Sequence, residues 1–256
     1  MRRAGLIAAG TLGVVAIAGA AAWFVAFRDT AEPVTVDEAV TSFRTDTEAT
    51  PPGRSPISEG VYVYATRGFE KTDALTGVTH RYPRRSTITV AAHPCGVSLT
   101  WRVLKGRSTE WVYCATPDGW ELRSQDERHT FFGRTERTAY TCENTPIRPA
   151  RAPVGTHWEV SCGTDGALED GTAKVVERRT WSLRGGPTGT GVLIRKSTRF
   201  TGDIRGRARH DLCFDSRTGL PVTITMVSRT TTASPIGDVR YDEDVTLRLL
   251  SLEPRR

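Results

Sequence analysis

STITVAAHPCGVSLTWRV, residues 86–103, contains two runs of strict alternation. Ser86, Ile88, Val90 and Ala92 fall on one face, and Thr87, Thr89 and Ala91 on the other. Val97, Leu99, Trp101 and Val103 then alternate with Ser98, Thr100 and Arg102. A period of two in β-branched and aromatic residues gives a strand with one dry and one wet face. The same texture recurs at 173–183, 189–200, 204–214, 220–230 and 239–252, rich in Val, Ile, Thr and Arg. Turn signals separate the runs: Lys105-Gly106, Pro117-Asp118-Gly119, Asp165-Gly166, Gly185-Gly186-Pro187, Thr201-Gly202-Asp203 and Arg217-Thr218-Gly219. The pattern predicts a mainly β domain over 60–256. Its architecture is an antiparallel meander of about a dozen short strands, closing as a half-barrel, a barrel or a sandwich.

The chain before residue 60 is different. Residues 36–45 place Val36, Ala39, Val40 and Phe43 at helical spacing, and Thr35 with Glu38 forms a capping box. A helix this short needs its apolar face docked, either on the β domain or on a partner protein or membrane surface. Residues 46–59 are rich in Pro, Ser and Thr and read as a tether. Residues 4–27 hold no charge and are preceded by Arg2-Arg3. At about 1.5 Å per residue they are long enough for a hydrocarbon core of roughly 30 Å. The expected division is a signal-anchor helix over 1–27, a short helix and tether over 28–59, and the β domain. Positive charge ahead of the apolar run keeps the N-terminus cytoplasmic, which puts the β domain outside the cell membrane. Cleavage near Ala20 or Ala22 is the rival reading and leaves the compartment unchanged.

Arginine dominates the basic residues and the net charge is +6, too mild to argue for a nucleic-acid partner. The cysteines are Cys95, Cys114, Cys142, Cys162 and Cys213. Four fall into two pairs of nearly equal spacing. One offset relates Cys95 to Cys142, Trp111 to Trp158 and Gly119 to Gly166, which suggests an internal duplication of about 88–140 and 135–187. The expected bridges are Cys95–Cys114 and Cys142–Cys162, with Cys213 a free thiol. Outside the membrane such bridges can form.

Catalytic signatures are missing. None of His80, His93, His129, His157 and His210 sits in a recognised motif, and each reads as a strand or turn residue. No cofactor motif or metal-ligand spacing is present, and the chain reads as a non-enzyme. Asp165, Glu169 and Asp170 read as a solvated turn, with weak calcium binding as the sharper alternative. Asp242-Glu243-Asp244 reads as an exposed strand edge. The most pointed feature is an arginine ribbon. With Thr201-Gly202-Asp203 as the turn, Arg199 is expected opposite Arg205 and Arg195 opposite Arg209, with Arg207 between. Like charges opposed across strands are unfavourable, so these five guanidiniums call for an anion. The candidates are a headgroup, an anionic wall polymer, or acids from a partner or flanking strands. Gly206 and Ala208, on the opposite face, leave a cavity or mark a sharply coiled strand.

Two stretches carry a resemblance. VTVDEAVTSFR (34–44), a Pro-rich tether and then Gly60-Val61-Tyr62-Val63-Tyr64 resemble an uncharacterised actinobacterial family of single-pass membrane-anchored proteins, which implies a location but no activity. The segment from His210 to Val222, HDLCFDSRTGLPV, is similar to a hairpin of lipoprotein-carrier half-barrels of the LolA and LppX kind. That resemblance implies a curved sheet holding a lipid or other apolar ligand at the cell surface. The chain differs from those carriers in lacking their internal helices and a lipobox cysteine. The competing expectation is an envelope structural or interaction protein using the arginine ribbon.

Overall fold

The computed structural model describes residues 31–47, 57–74, 77–117, 119–143, 145–149, 152–234 and 237–256. The expected anchor at 4–27 and residues 48–56 of the tether lie outside them. Helix α1 runs Val36–Thr47. The strands are β1 Gly60–Thr72, β2 Val78–Arg81, β3 Arg85–His93, β4 Gly96–Leu104, β5 Arg107–Thr116, β6 Gly119–Phe131 and β7 Arg134–Glu143. After them come β8 Pro146–Pro149, β9 His157–Gly163, β10 Ala167–Ser182, β11 Thr188–Gly202, β12 Ile204–Asp215, β13 Pro221–Thr232 and β14 Val239–Leu249.

Twelve antiparallel strands close a barrel. The circuit follows the chain from β3 through β7, then β9 to β14, and closes where β14 pairs β1 from Tyr64↔Leu249 to Thr72↔Tyr241. Short β2 and β8 pair with β1 and β6 respectively, alongside the circuit. Of the half-barrel, barrel and sandwich expected from sequence, the barrel is the one formed. Many strands are long rather than short: β10 and β11 run 16 and 15 residues.

Alternation assigns the two faces. Tyr62, Tyr64, Ile88, Val90, Leu99, Trp101, Ile194, Ile224, Val245 and Leu247 point inward, each under 4% exposed. A barrel of this many strands is wider than its aliphatic residues alone would fill, and Trp101, Tyr62, Tyr64 and Arg107 supply the bulk. Glycine permits the curvature. Gly206 has φ +148°, and a Cβ there would meet the Arg229 carbonyl oxygen at 2.1 Å. Gly68 on β1 is placed the same way against Asp244. Gly206 therefore serves close strand approach, not a cavity.

Helix α1 packs outside the barrel. Its capping box is closed in both directions: the Glu38 amide donates to Thr35 Oγ1 at 3.2 Å, and the Thr35 amide to Glu38 Oε2 at 2.8 Å. Ala39 and Phe43 bury against Val61, an outward residue of β1, and Arg102 Nη1 donates to Ser42 Oγ at 2.8 Å. The docking target of the apolar helical face is thus the β domain itself.

The two bridges form as the spacing predicts, and Cys213 is a buried free thiol. Their settings differ. Cys142–Cys162 joins β7 to β9, whose ladder consists only of Thr141↔Gly163, Cys142↔Cys162 and Glu143↔Ser161. This is the barrel's shortest seam, and the disulfide sits at its middle pair. Cys95–Cys114 ties the tight turn between β3 and β4 to the neighbouring strand β5.

Candidate functional site

Two charged regions stand out, one outside the barrel and one inside. Outside, β11 and β12 carry all five arginines of the ribbon. The register differs from the one expected. Arg199 lies opposite Arg207, Ser197 opposite Arg209, and Arg195 opposite Asp211. The strands pair two residues further along β12 than a turn at 201–203 implies, and this brings an acid to Arg195. Arg195 Nε and Nη2 donate to both Asp211 oxygens at 2.7 and 3.0 Å, and Arg209 shares the same carboxylate at 3.1 Å. Arg205 pairs with Asp238 at 2.9 Å.

Arg199 and Arg207 form no ion pair among the described residues. The next strand continues their row, because Arg207 lies opposite Arg229 of β13. Three guanidinium-bearing positions on adjacent strands thus stand in register. Asp170 of β10, opposite Arg199, and Asp242 of β14, 3.5 Å from Arg229, bound the row. Arg229 is tied further, through Nη1, to the Glu243 carbonyl at 2.8 Å. Unneutralised charge is therefore concentrated at Arg199 and Arg207.

Inside, one end of the barrel is lined by ionisable groups. Arg107, 2% exposed, donates to Glu243 through Nε at 3.3 Å and through Nη2 at 3.0 and 3.2 Å. It also reaches Thr109 Oγ1 at 2.6 Å, lies 3.7 Å from Glu70 and rests 5.2 Å over the Trp101 ring. Tyr82 donates a short hydrogen bond to Glu243. Glu70 receives His80 Nδ1 at 2.9 Å, His129 Nδ1 at 3.3 Å and the Tyr241 hydroxyl at 3.2 Å. His129 Nε2 faces Glu127 at 3.5 Å, and its ring packs edge-on to Tyr241 at 5.0 Å.

The environment sets the charges. Burial works against ionising Glu70, but hydrogen bonds from His129 and His80 and the Arg107 charge outweigh it and hold the carboxyl at about 2. Glu127 is held at about 2 by the same balance, with His129 and Arg107 overriding burial. For His129, burial and Arg107 oppose protonation. The carboxylates at its two nitrogens prevail and raise its pKa above the usual imidazole value. Burial also pushes the Tyr82 and Tyr241 phenols well up.

Further along the interior, Lys196 and Glu169 form a buried pair at 2.8 Å, and Thr198 donates to the same Glu169 oxygen at 2.7 Å. Glu169 belongs to strand β10 and is 1% exposed, so it is no solvated turn residue. Glu243 is likewise buried, while Asp242 on the same strand faces outward to Arg229, so 242–244 is not an exposed edge throughout. His210 faces this pair, and burial together with Lys196 lowers its pKa to about 4. A pocket of about 20 Å³ lies here, with Lys196, His210 and Gln125 at its polar end and Trp111, Phe214 and Met226 among its apolar walls. That is room for one water, not for an acyl chain. No three His, Cys, Asp or Glu side chains among the described residues converge as metal ligands.

The sequence reading missed the interior charges because barrel closure assembles them. Glu70 and Glu243 are neighbours only through the β1–β14 ladder. A signal was available in phase: Glu243 alternates in step with Val245, Leu247 and Leu249, all inward. No family model, no curated protein and no solved structure matches this chain.

Proposed function

We propose that this chain is a membrane-anchored, extracytoplasmic barrel that binds phosphate-bearing polymers or headgroups of the cell envelope through the outer face of β11–β13, without catalysing a reaction. The observation that carries the reading is the row Arg199, Arg207, Arg229. Side chains opposed across strands repel when alike, and Arg199 and Arg207 have no ion pair among the described residues to relieve that repulsion. A polyanion laid across the strands would relieve it with bidentate contacts that guanidinium makes well. Two disulfides and the charge-flanked apolar segment 4–27 support the compartment. An interior pocket with room for one water favours this surface over an internal lipid site.

The test uses the full chain reconstituted in neutral phosphatidylcholine vesicles and offered labelled inorganic polyphosphate or, separately, phosphatidylglycerol vesicles. The chain is expected to capture a phosphate-bearing probe, and Arg199→Gln with Arg207→Gln to lose most of that capture. Capture of polyphosphate alone would assign a soluble polymer, and capture of the vesicles a headgroup surface. Equal capture by the variant would overturn the proposal.

A further inference from the structure

The two disulfides differ in what can reach them. Cys142 and Cys162 are each 1% exposed, sealed inside the β7–β9 seam. Cys114 is 8% exposed, but its partner Cys95 stands in the open at the tip of the β3–β4 hairpin, where His93 pairs Gly96 across a two-residue turn of Pro94 and Cys95. His93 leans over that tip. Its Nδ1 lies 3.2 Å from Cys95 Sγ and accepts from the Cys95 amide N–H at 3.4 Å. Nδ1 accepts from that amide, so its lone pair is on the Cys95 side of the ring, where it can take the Cys95 thiol proton once the bridge is open. An imidazole in this position favours a thiolate on the sulfur it touches.

We propose that Cys95–Cys114 is an exchange-competent disulfide that reacts with protein dithiols outside the membrane, while Cys142–Cys162 is a fixed bolt. A dithiol thiolate attacks the open Cys95 Sγ along the S–S axis. The Cys95–Cys114 bond breaks, its electron pair goes to Cys114 Sγ, and that sulfur takes a proton from water. The second thiol of the dithiol, deprotonated, attacks its own partner sulfur in the mixed disulfide. Cys95 Sγ leaves as a thiolate beside His93 Nδ1 and takes a proton from water. The dithiol ends as a disulfide and the two electrons reside on Cys95 and Cys114. The attacked sulfur is set by access: Cys95 is at a hairpin tip, whereas Cys114 lies in the β5 ladder opposite Gly96. The consequence is local, because freeing the hairpin tip leaves the β7–β9 closure bolted.

The experiment treats the folded full chain with increasing dithiothreitol, quenches with iodoacetamide and locates labelled cysteines by peptide mass spectrometry. Cys95 and Cys114 are expected to label at reductant levels that leave Cys142 and Cys162 untouched. In a Cys114→Ser chain, whose Cys95 thiol is free, His93→Ala should slow alkylation of Cys95 at pH 7 by about five- to tenfold. Joint labelling of both bridges, or an unchanged alkylation rate in the His93 variant, would overturn the proposal.

Discussion

Arg107 and the arginines of β11–β12 are one side chain in two surroundings. Arg107 is enclosed by Glu243, Glu70, Thr109 and Trp101 and is 2% exposed. Arg195 and Arg209 share Asp211 with 38% and 54% of their side chains in water. The inner pair has lost its hydration, so each member depends on the other. The outer pair keeps its hydration and gains little from pairing. Burial, more than geometry, decides whether an arginine of this barrel holds the fold or remains available to a partner.

The largest break of that contrast is Arg107→Met, which leaves Glu243 and Glu70 as buried carboxylates without their common cation. It should cost about 3–5 kcal/mol in denaturant unfolding. A loss under about 1 kcal/mol would place Arg107 with the surface arginines. Next comes the bolt: replacing Cys142 and Cys162 together by Ala should cost about 3 kcal/mol. Hydrogen exchange should quicken along β9. An unchanged unfolding midpoint would mean that the short β7–β9 ladder closes the barrel unaided.

The interior also sets a pH dependence. His210 is folded with a pKa of about 4, below the ordinary 6.5, so the unfolded chain takes up this proton first. Its neutral form is therefore compatible with full stability above about 6.5, and stability falls as the pH drops toward 4. Glu70 and Glu127, held at about 2, contribute stability that is complete above 4.5 and is lost between there and about 2. His129 runs the other way: its contribution is complete below 6.5 and is lost as pH rises through its raised folded pKa. His210→Gln should accordingly flatten the stability curve between pH 6.5 and 4 in unfolding titrations, and a curve that keeps its slope would assign the slope elsewhere. The smallest effect is Arg195→Gln, under about 1 kcal/mol because Asp211 keeps Arg209. A larger loss would show that the outer pairs also hold the fold.

What the sequence revealed follows from the range of each interaction. Alternation around Ile88 and Trp101 reads out directly because it is set by neighbouring residues. The cysteine pairs were legible from their spacing, and the capping box of Thr35 and Glu38 from a three-residue pattern. The ribbon register was off by two because a turn motif alone does not fix how many residues of Thr201-Gly202-Asp203 stay in the ladder. The inner network was invisible for a different reason. Glu70 and Glu243 face each other on β1 and β14, Arg107 and His129 on β5 and β6, and only closure of the barrel brings the two pairs within bonding distance. Treating 242–244 as one acidic run hid the fact that adjacent residues of a strand face opposite sides.

The most direct test of the outer face is the salt dependence of polyphosphate affinity for the full chain, wild type against Arg199→Gln with Arg207→Gln. If the row of guanidiniums is the binding surface, wild-type affinity falls steeply as ionic strength rises, and the variant binds weakly with a shallower dependence. Superimposable curves for the two chains would contradict the account.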